Sequence, residues 1–156
     1  MPHNERFFEE LAVNFHDMAV FLDADGTLLP DGEREVSDAA RAKVGELKKS
    51  NRVCLCINAR TSERNEELAR SLGVPLLTRR FRKPSAKILC EVPEESRRAE
   101  RVVIGDKMLV DGVFALRIGA RFIRVRRKQS GNERFPVRAA DAFDDCVWSM
   151  AKKLFS

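Results

Sequence analysis

Histidine is scarce in this chain, with only His3 and His16, and the four cysteines contain no CxxC pair. Tetrahedral zinc sites draw on Cys and His at short paired spacings, so a zinc centre is not expected. Cys54 and Cys56 alternate in a strand-like run and should face one side of a sheet, while Cys90 and Cys146 lie far off in sequence. The expectation is reduced, mostly buried thiols. No apolar run approaches the ~20 residues that a membrane span needs. The first apolar stretch is broken by charge and lacks the hydrophobic core of a signal peptide. These absences point to a cytoplasmic protein. There is no internal repeat and no low-complexity segment. Aromatic residues are sparse where the chain is most basic: Arg79-Arg80-Phe81-Arg82-Lys83 and Arg121 through Lys128 hold one Phe each. Stacking on bases needs interleaved aromatics, so nucleic acid is disfavoured as a partner.

What is present describes a globular chain. A hydrophobic fraction of 44% and a charged fraction of 34% suit a soluble fold, and 156 residues suit a single domain over 1–156. The net charge of +5 favours an anionic substrate or surface.

Hydrophobic patterning alternates between short buried strands and helices. Phe7, Phe8, Leu11 and Phe15 predict an opening amphipathic helix. Met18 to Leu22 predicts a buried strand. Ser37 can cap a helix with a stripe of Ala40, Val44 and Leu47. Strands are predicted at Val53 to Ile57, Val74 to Leu77, Arg101 to Ile104 and Phe122 to Val125. A helix from about Ser62 should end at Gly73, and Pro84 should open a short helix. Leu109, Val113 and Leu116 predict a helix closed by Gly119. Phe143, Val147, Met150 and Leu154 predict an apolar stripe on a closing helix. This alternation implies a three-layer, Rossmann-like α/β fold with a parallel sheet. Such folds bind ligands beyond the carboxyl ends of the strands, where strand order reverses.

Acidic residues gather just after those strands. The first ends in Phe21-Leu22-Asp23-Ala24-Asp25-Gly26-Thr27-Leu28-Leu29. Two carboxylates two positions apart can divide nucleophilic attack and proton transfer between them. Gly26 lets the backbone leave the strand sharply, and Thr27 can fix the turn. Further along stand Arg82-Lys83-Pro84 and Ile104-Gly105-Asp106-Lys107-Met108-Leu109-Val110-Asp111.

The DxDGTLL segment, the lysine segment and the GDxxxxD segment, in that order, resemble the motifs of the haloacid dehalogenase (HAD) superfamily of phosphatases. The resemblance covers about Ala19 to Val125. It implies that Asp23 is the nucleophile that becomes an aspartyl-phosphate and that Asp25 is the general acid and base. It implies Mg²⁺ as cofactor, held by Asp106, Asp23 and the backbone carbonyl of Asp25, with Asp111 completing or bracing the site. Lys83 resembles the catalytic lysine that neutralises the nucleophile and the phosphoryl group. Phosphate would be cradled by Lys83, Gly26 and Asn58. Asn58 stands where the family has Ser or Thr at the end of the second strand; its amide can still donate, and Thr61 is a substitute if the loop bends back. Physics agrees with the set: four carboxylates in one crevice repel phosphate unless a hard, oxygen-preferring cation and a lysine balance them.

Asp25 and Asn58 are 33 positions apart, and Asn58 and Lys83 are 25 apart. The core's own elements fill both intervals, leaving no room for a cap domain. Capless members of the superfamily act on bulky substrates or oligomerise. Leu72-Gly73-Val74-Pro75, the Arg-Lys-Pro segment and GDxxxxD also resemble the branch that contains phosphatidylglycerophosphate phosphatases. The expected activity is Mg²⁺-dependent hydrolysis of a phosphomonoester, on a bulky or anionic substrate, with peripheral contact with an anionic membrane or a homo-oligomer in view. The alternative is a catalytically silent HAD-like protein that binds a phosphorylated or nucleic-acid ligand.

Overall fold

The computed structural model describes residues 6–60 and 62–155, and the side chains of these up to residue 152. Thr61, the expected substitute for Asn58, and the Leu154 end of the closing stripe lie outside the described residues and side chains. Five parallel strands form one sheet in the order β3-β2-β1-β4-β5. They are β1 (Ala19–Leu22), β2 (Arg52–Cys56), β3 (Leu76–Leu77), β4 (Arg101–Gly105) and β5 (Arg121–Arg124). The helices are α1 (Asp38–Ser50), α2 (Ser62–Leu72), α3 (Glu94–Arg98), α4 (Val113–Arg117) and α5 (Phe135–Phe155). This is the expected Rossmann-like α/β architecture.

Strand alternation makes the layers. Val20, Leu22, Val53, Leu55, Val102 and Ile104 face one way, into a core shared with Ala40, Val44 and Leu47 of α1 and Leu68, Ala69 and Leu72 of α2. Phe21, Cys54, Cys56 and Val103 face the other way, against Ile88, Val92, Phe114, Ala115 and Ile118. Cys54 and Cys56 therefore share a face, and burial pushes the Cys54 thiol up to about 11. Cys90 and Cys146 are exposed. The Ser37 hydroxyl accepts from the Ala40 amide at 3.2 Å, as a helix cap should.

β1 pairs with β2 in register Leu22↔Leu55 and with β4 in register Leu22↔Ile104. The chain leaves β1 with both neighbours ending at the same level, so the loops after β1, β2 and β4 open onto one edge. Strand order reverses across β1, which makes that edge the switch point.

Four local expectations change. The opening segment is not a helix: beyond a 3-10 turn at Phe8–Glu10 it runs without regular structure, and exposure alternates residue by residue from Leu11 to Phe15. Leu11, Val13 and Phe15 all pack on the core, a period of two that the spacing of the Phe and Leu residues had concealed. The helix after β4 begins with a π turn, Met108–Gly112. A π turn accommodates an extra residue and shifts the helical phase. Met108, Phe114 and Ile118 are consequently buried, while Leu109 and Leu116 are exposed. On α5, Phe143 and Met150 are exposed and Asp144 is buried; the inward face is chosen by a carboxylate and by Trp148, which meets Phe122 edge-on at 5.9 Å. Finally, Pro84 does not open a helix. Its peptide with Lys83 is cis, and the following 3-10 turn, Ala86–Glu91, starts after Ser85, whose hydroxyl accepts from the Lys87 amide at 3.3 Å.

Candidate active site

Asp23 is the first residue past β1, and its amide donates to the Ile104 carbonyl at 2.9 Å. The chain then turns within one tight loop, with Thr27 and Leu28 amides returning to the Ala24 carbonyl at 3.0 and 2.8 Å. Gly26 takes φ +83°, and a Cβ there would lie 2.5 Å from Asp106 Oδ2. Only glycine meets both demands without displacing that carboxylate. The Thr27 hydroxyl points back into the site, 3.3 Å from Asp23 Oδ2 and 3.4 Å from Asp106 Oδ1.

β4 delivers the second group. Asp106 follows its last residue, Gly105, and Asp111 comes from the π turn. A Cβ on Gly105 would sit 2.3 Å from the Asp111 carboxyl carbon, so the glycine of GDxxxxD is what allows Asp111 to fold back. Asp23, Asp106 and Asp111 are all buried, and each offers an oxygen such that these atoms lie within 4.8 Å of one another. Burial, then the Asp23 charge, pushes both the Asp106 and the Asp111 carboxyl well above the usual range. Three hard oxygen donors crowded at this distance fit a small divalent cation, which would relieve their repulsion.

Lys83 joins the cluster from the segment after β3. Its ammonium donates to Asp23 Oδ1 and to Asp111 Oδ1, both at 2.6 Å. Burial opposes its charge, but Asp111 and Asp23 outweigh that and raise its pKa above the ordinary lysine value. Asn58, after β2, holds Lys83 by the backbone: its amide nitrogen donates to the Lys83 carbonyl and its carbonyl oxygen accepts the Lys83 amide, each at 2.9 Å. The expected phosphate donor thus also fixes the loop that presents the lysine.

Asp25 stands apart from the three-carboxylate cluster. It still lines the same crevice of about 350 Å³, with Asp23, Asn58, Lys83, Lys107 and Asp111. The basic run Arg79 to Arg82 is not among the residues lining it. Arg79 pairs with Glu66 at 2.9 Å, and Glu91 accepts the amides of Arg79, Arg80 and Phe81 at 3.0 to 3.2 Å.

Three contributors were not legible in the motifs. Arg64 of α2 forks onto Asp25, at 2.7 and 3.0 Å. A cation in the first turn of a helix opposes the helix dipole, and that was the signal available. Arg127 bridges Asp106 Oδ2 and Asp31 at 2.9 and 2.8 Å and reaches Asp141 of α5 at 2.9 Å. Asp144 of α5 accepts the amides of Met108 and Leu109, both at 2.8 Å, so α5 holds the loop that carries Asp106 and Asp111. Asp144→Ala would orphan two amides of that loop. The expected result is a loss of about 1–3 kcal/mol, read by urea denaturation, together with weaker activity.

A Rossmann-like sheet with paired aspartates after its central strand, a lysine across from them and a GDxxxxD loop beside them defines a HAD-type phosphatase. The family model described as "Mitochondrial PGP phosphatase" matches residues 7–128, and the chain belongs to that family. No curated protein and no solved structure matches it. The match corrects one expectation. The family is described as mitochondrial, so the cytoplasmic assignment does not stand. That assignment rested on unpaired cysteines and on the missing secretory-type core, and neither feature separates the cytosol from mitochondria. No helix among the described residues is long and apolar enough to cross a membrane.

Proposed function

We propose that the protein hydrolyses a phosphomonoester in two steps through an aspartyl-phosphate on Asp23, with PGP, the substrate in the family's name, as the first candidate. The observation that carries this reading is the Lys83 ammonium shared at 2.6 Å between Asp23 and Asp111. It holds Asp23 as a fixed, charge-compensated carboxylate at the floor of the crevice.

In the first step an Asp23 oxygen attacks phosphorus, the bond from phosphorus to the ester oxygen breaks, and Asp25 gives that oxygen a proton. In the second, Asp25 takes a proton from water, the water oxygen attacks phosphorus, and the Asp23–phosphorus bond breaks to release phosphate. Lys83 compensates charge throughout, and Asn58 keeps Lys83 in register, with its second amide hydrogen left to donate to the phosphoryl group. Asp23, Asp106 and Asp111, with the Asp25 carbonyl, would hold Mg²⁺, which supplies charge stabilisation for the transferring phosphoryl group. Both intervals that would accommodate a cap are filled by α1, β2, α2 and β3, so an open crevice suits a bulky substrate, including one presented at an anionic membrane. The chain acts as a single domain in this reading.

The test is hydrolysis of phosphatidylglycerophosphate in vesicles, beside sugar phosphates and an aryl phosphate. Chelation with EDTA should abolish phosphate release and Mg²⁺ restore it. Full activity in chelator would remove the metal from the mechanism. Preference for a small sugar phosphate at every ionic strength would remove the bulky substrate. Binding without turnover of any of them would favour a silent, ligand-binding protein.

A further inference from the structure

Arg64 is 4% exposed, and each of its guanidinium nitrogens has a partner. Nη1 and Nη2 donate to the two oxygens of Asp25, at 3.0 and 2.7 Å. Nε and Nη2 donate to the Glu33 carbonyl at 2.9 and 2.6 Å, and Nη1 to Asn65 Oδ1 at 3.3 Å. The Gly32 amide adds a bond to Asp25 Oδ1 at 3.2 Å. Asp25 is thereby gripped at both oxygens by a two-point fork, anchored in turn to the loop after β1.

Stability is a poor reason for this arrangement. A buried ion pair contributes little beyond what apolar side chains of the same volume would, because both charges are desolvated. What a two-point contact does supply is orientation. The oriented group lines the crevice that holds Asp23 and Lys83, and proton transfer depends on a group standing within hydrogen-bond reach of its target.

We propose that Arg64 is a positioning residue for proton transfer. It holds the Asp25 carboxyl group so that Oδ2, which accepts one hydrogen bond where Oδ1 accepts two, is the oxygen that carries the proton to the leaving oxygen and takes it back from the attacking water. This rests on the phosphatase reading above. Arg64 touches no reacting atom; it acts through Asp25.

The experiment measures kcat/KM, which reports on steps up to loss of the leaving group, for aryl phosphates of graded leaving ability and for one alkyl phosphate. In Arg64→Ala the alkyl phosphate should lose about 10²-fold, the lower end of what positioned acid catalysis contributes. 4-Nitrophenyl phosphate, whose leaving group needs little protonation, should lose less than about threefold. Asp25→Asn should show the same steepened dependence, and the double variant should be no worse than Asp25→Asn alone. Guanidinium ion at millimolar concentration should restore part of the alkyl activity to Arg64→Ala. Arg64→Lys keeps the charge without the fork, so it covers the case in which Arg64→Ala does not fold; its dependence on leaving group should also steepen. An equal loss across all substrates, an unchanged dependence in Arg64→Lys, or multiplying losses in the double variant would overturn the proposal while leaving the phosphatase intact. A wild-type protein inert toward every phosphate in Mg²⁺ would overturn the phosphatase reading, and this proposal with it.

Discussion

Asp23→Asn is expected to lower kcat by at least about 10³-fold, in line with losses on removing a covalent nucleophile, while leaving the fold in place. The amide is isosteric but cannot form the acyl-phosphate bond. Asp23 sits 8% exposed where β1 ends, and its backbone bond to Ile104 survives the change. Lys83 would keep Asp111 as an anionic partner at 2.6 Å, so no charge is left buried and alone. Replacing one of three crowded carboxylates also removes repulsion from the site. The thermal midpoint should therefore stay within about 4 °C of wild type, the shift that ~1 kcal/mol produces in a domain of this size. Brief reaction followed by acid quench should trap phosphate on wild-type protein and none on the variant. Turnover within a few-fold of wild type would remove Asp23 as the nucleophile.

Lys83→Met should have an effect of comparable size on activity and a larger one on the fold. Methionine fills similar volume but removes the cation between two carboxylates that are each within 2.6 Å of it. Breaking a buried pair by deleting one partner leaves uncompensated charge, at a cost of about 3–5 kcal/mol. Here two carboxylates are left, with Asp106 nearby to add its own repulsion. Urea denaturation reads the loss. If its cause is charge rather than packing, adding Asp111→Asn to Lys83→Met should recover part of the stability, and the double-mutant cycle isolates that term. Recovery absent, or a single variant as stable as wild type, would mean that Lys83 is not the compensating charge. Activity should not recover in the double variant, because the phosphoryl group would still lack its ammonium partner.

The local elements show where sequence patterning succeeds. β1, β2 and β4 were legible because a strand buried on both faces reads as a run of apolar residues. α1 was legible because Ser37 and the spacing of Ala40, Val44 and Leu47 state its cap and its buried face together. The opening segment failed because Phe7, Phe8, Leu11 and Phe15 fit a helical spacing while Leu11, Val13 and Phe15 also fit an extended one, and contact with the core selected the second. The helix after β4 failed in phase alone, since nothing in the local sequence announces a π turn that shifts every later position.

The sequence by itself singled out the residues proposed to carry the chemistry. Asp23, Asp25 and Asp106 follow closely on β1 and β4, and Lys83 and Asp111 lie in the segments beyond β3 and β4, where apolar patterning stops and short motifs take over, so their types and spacing are local facts. The parallel order of the sheet then followed from the alternation of strands and helices. Only the tertiary structure decided what holds that set in place. Arg64 reaches Asp25 across 39 positions, Asn58 clamps Lys83 across 25, and Asp144 caps the acidic loop across 36. Each of these is a polar group whose meaning depends on which partner the fold brings within hydrogen-bond distance. A lone Arg, Asn or Asp carries no periodicity, and its desolvation is tolerable only once that partner is there.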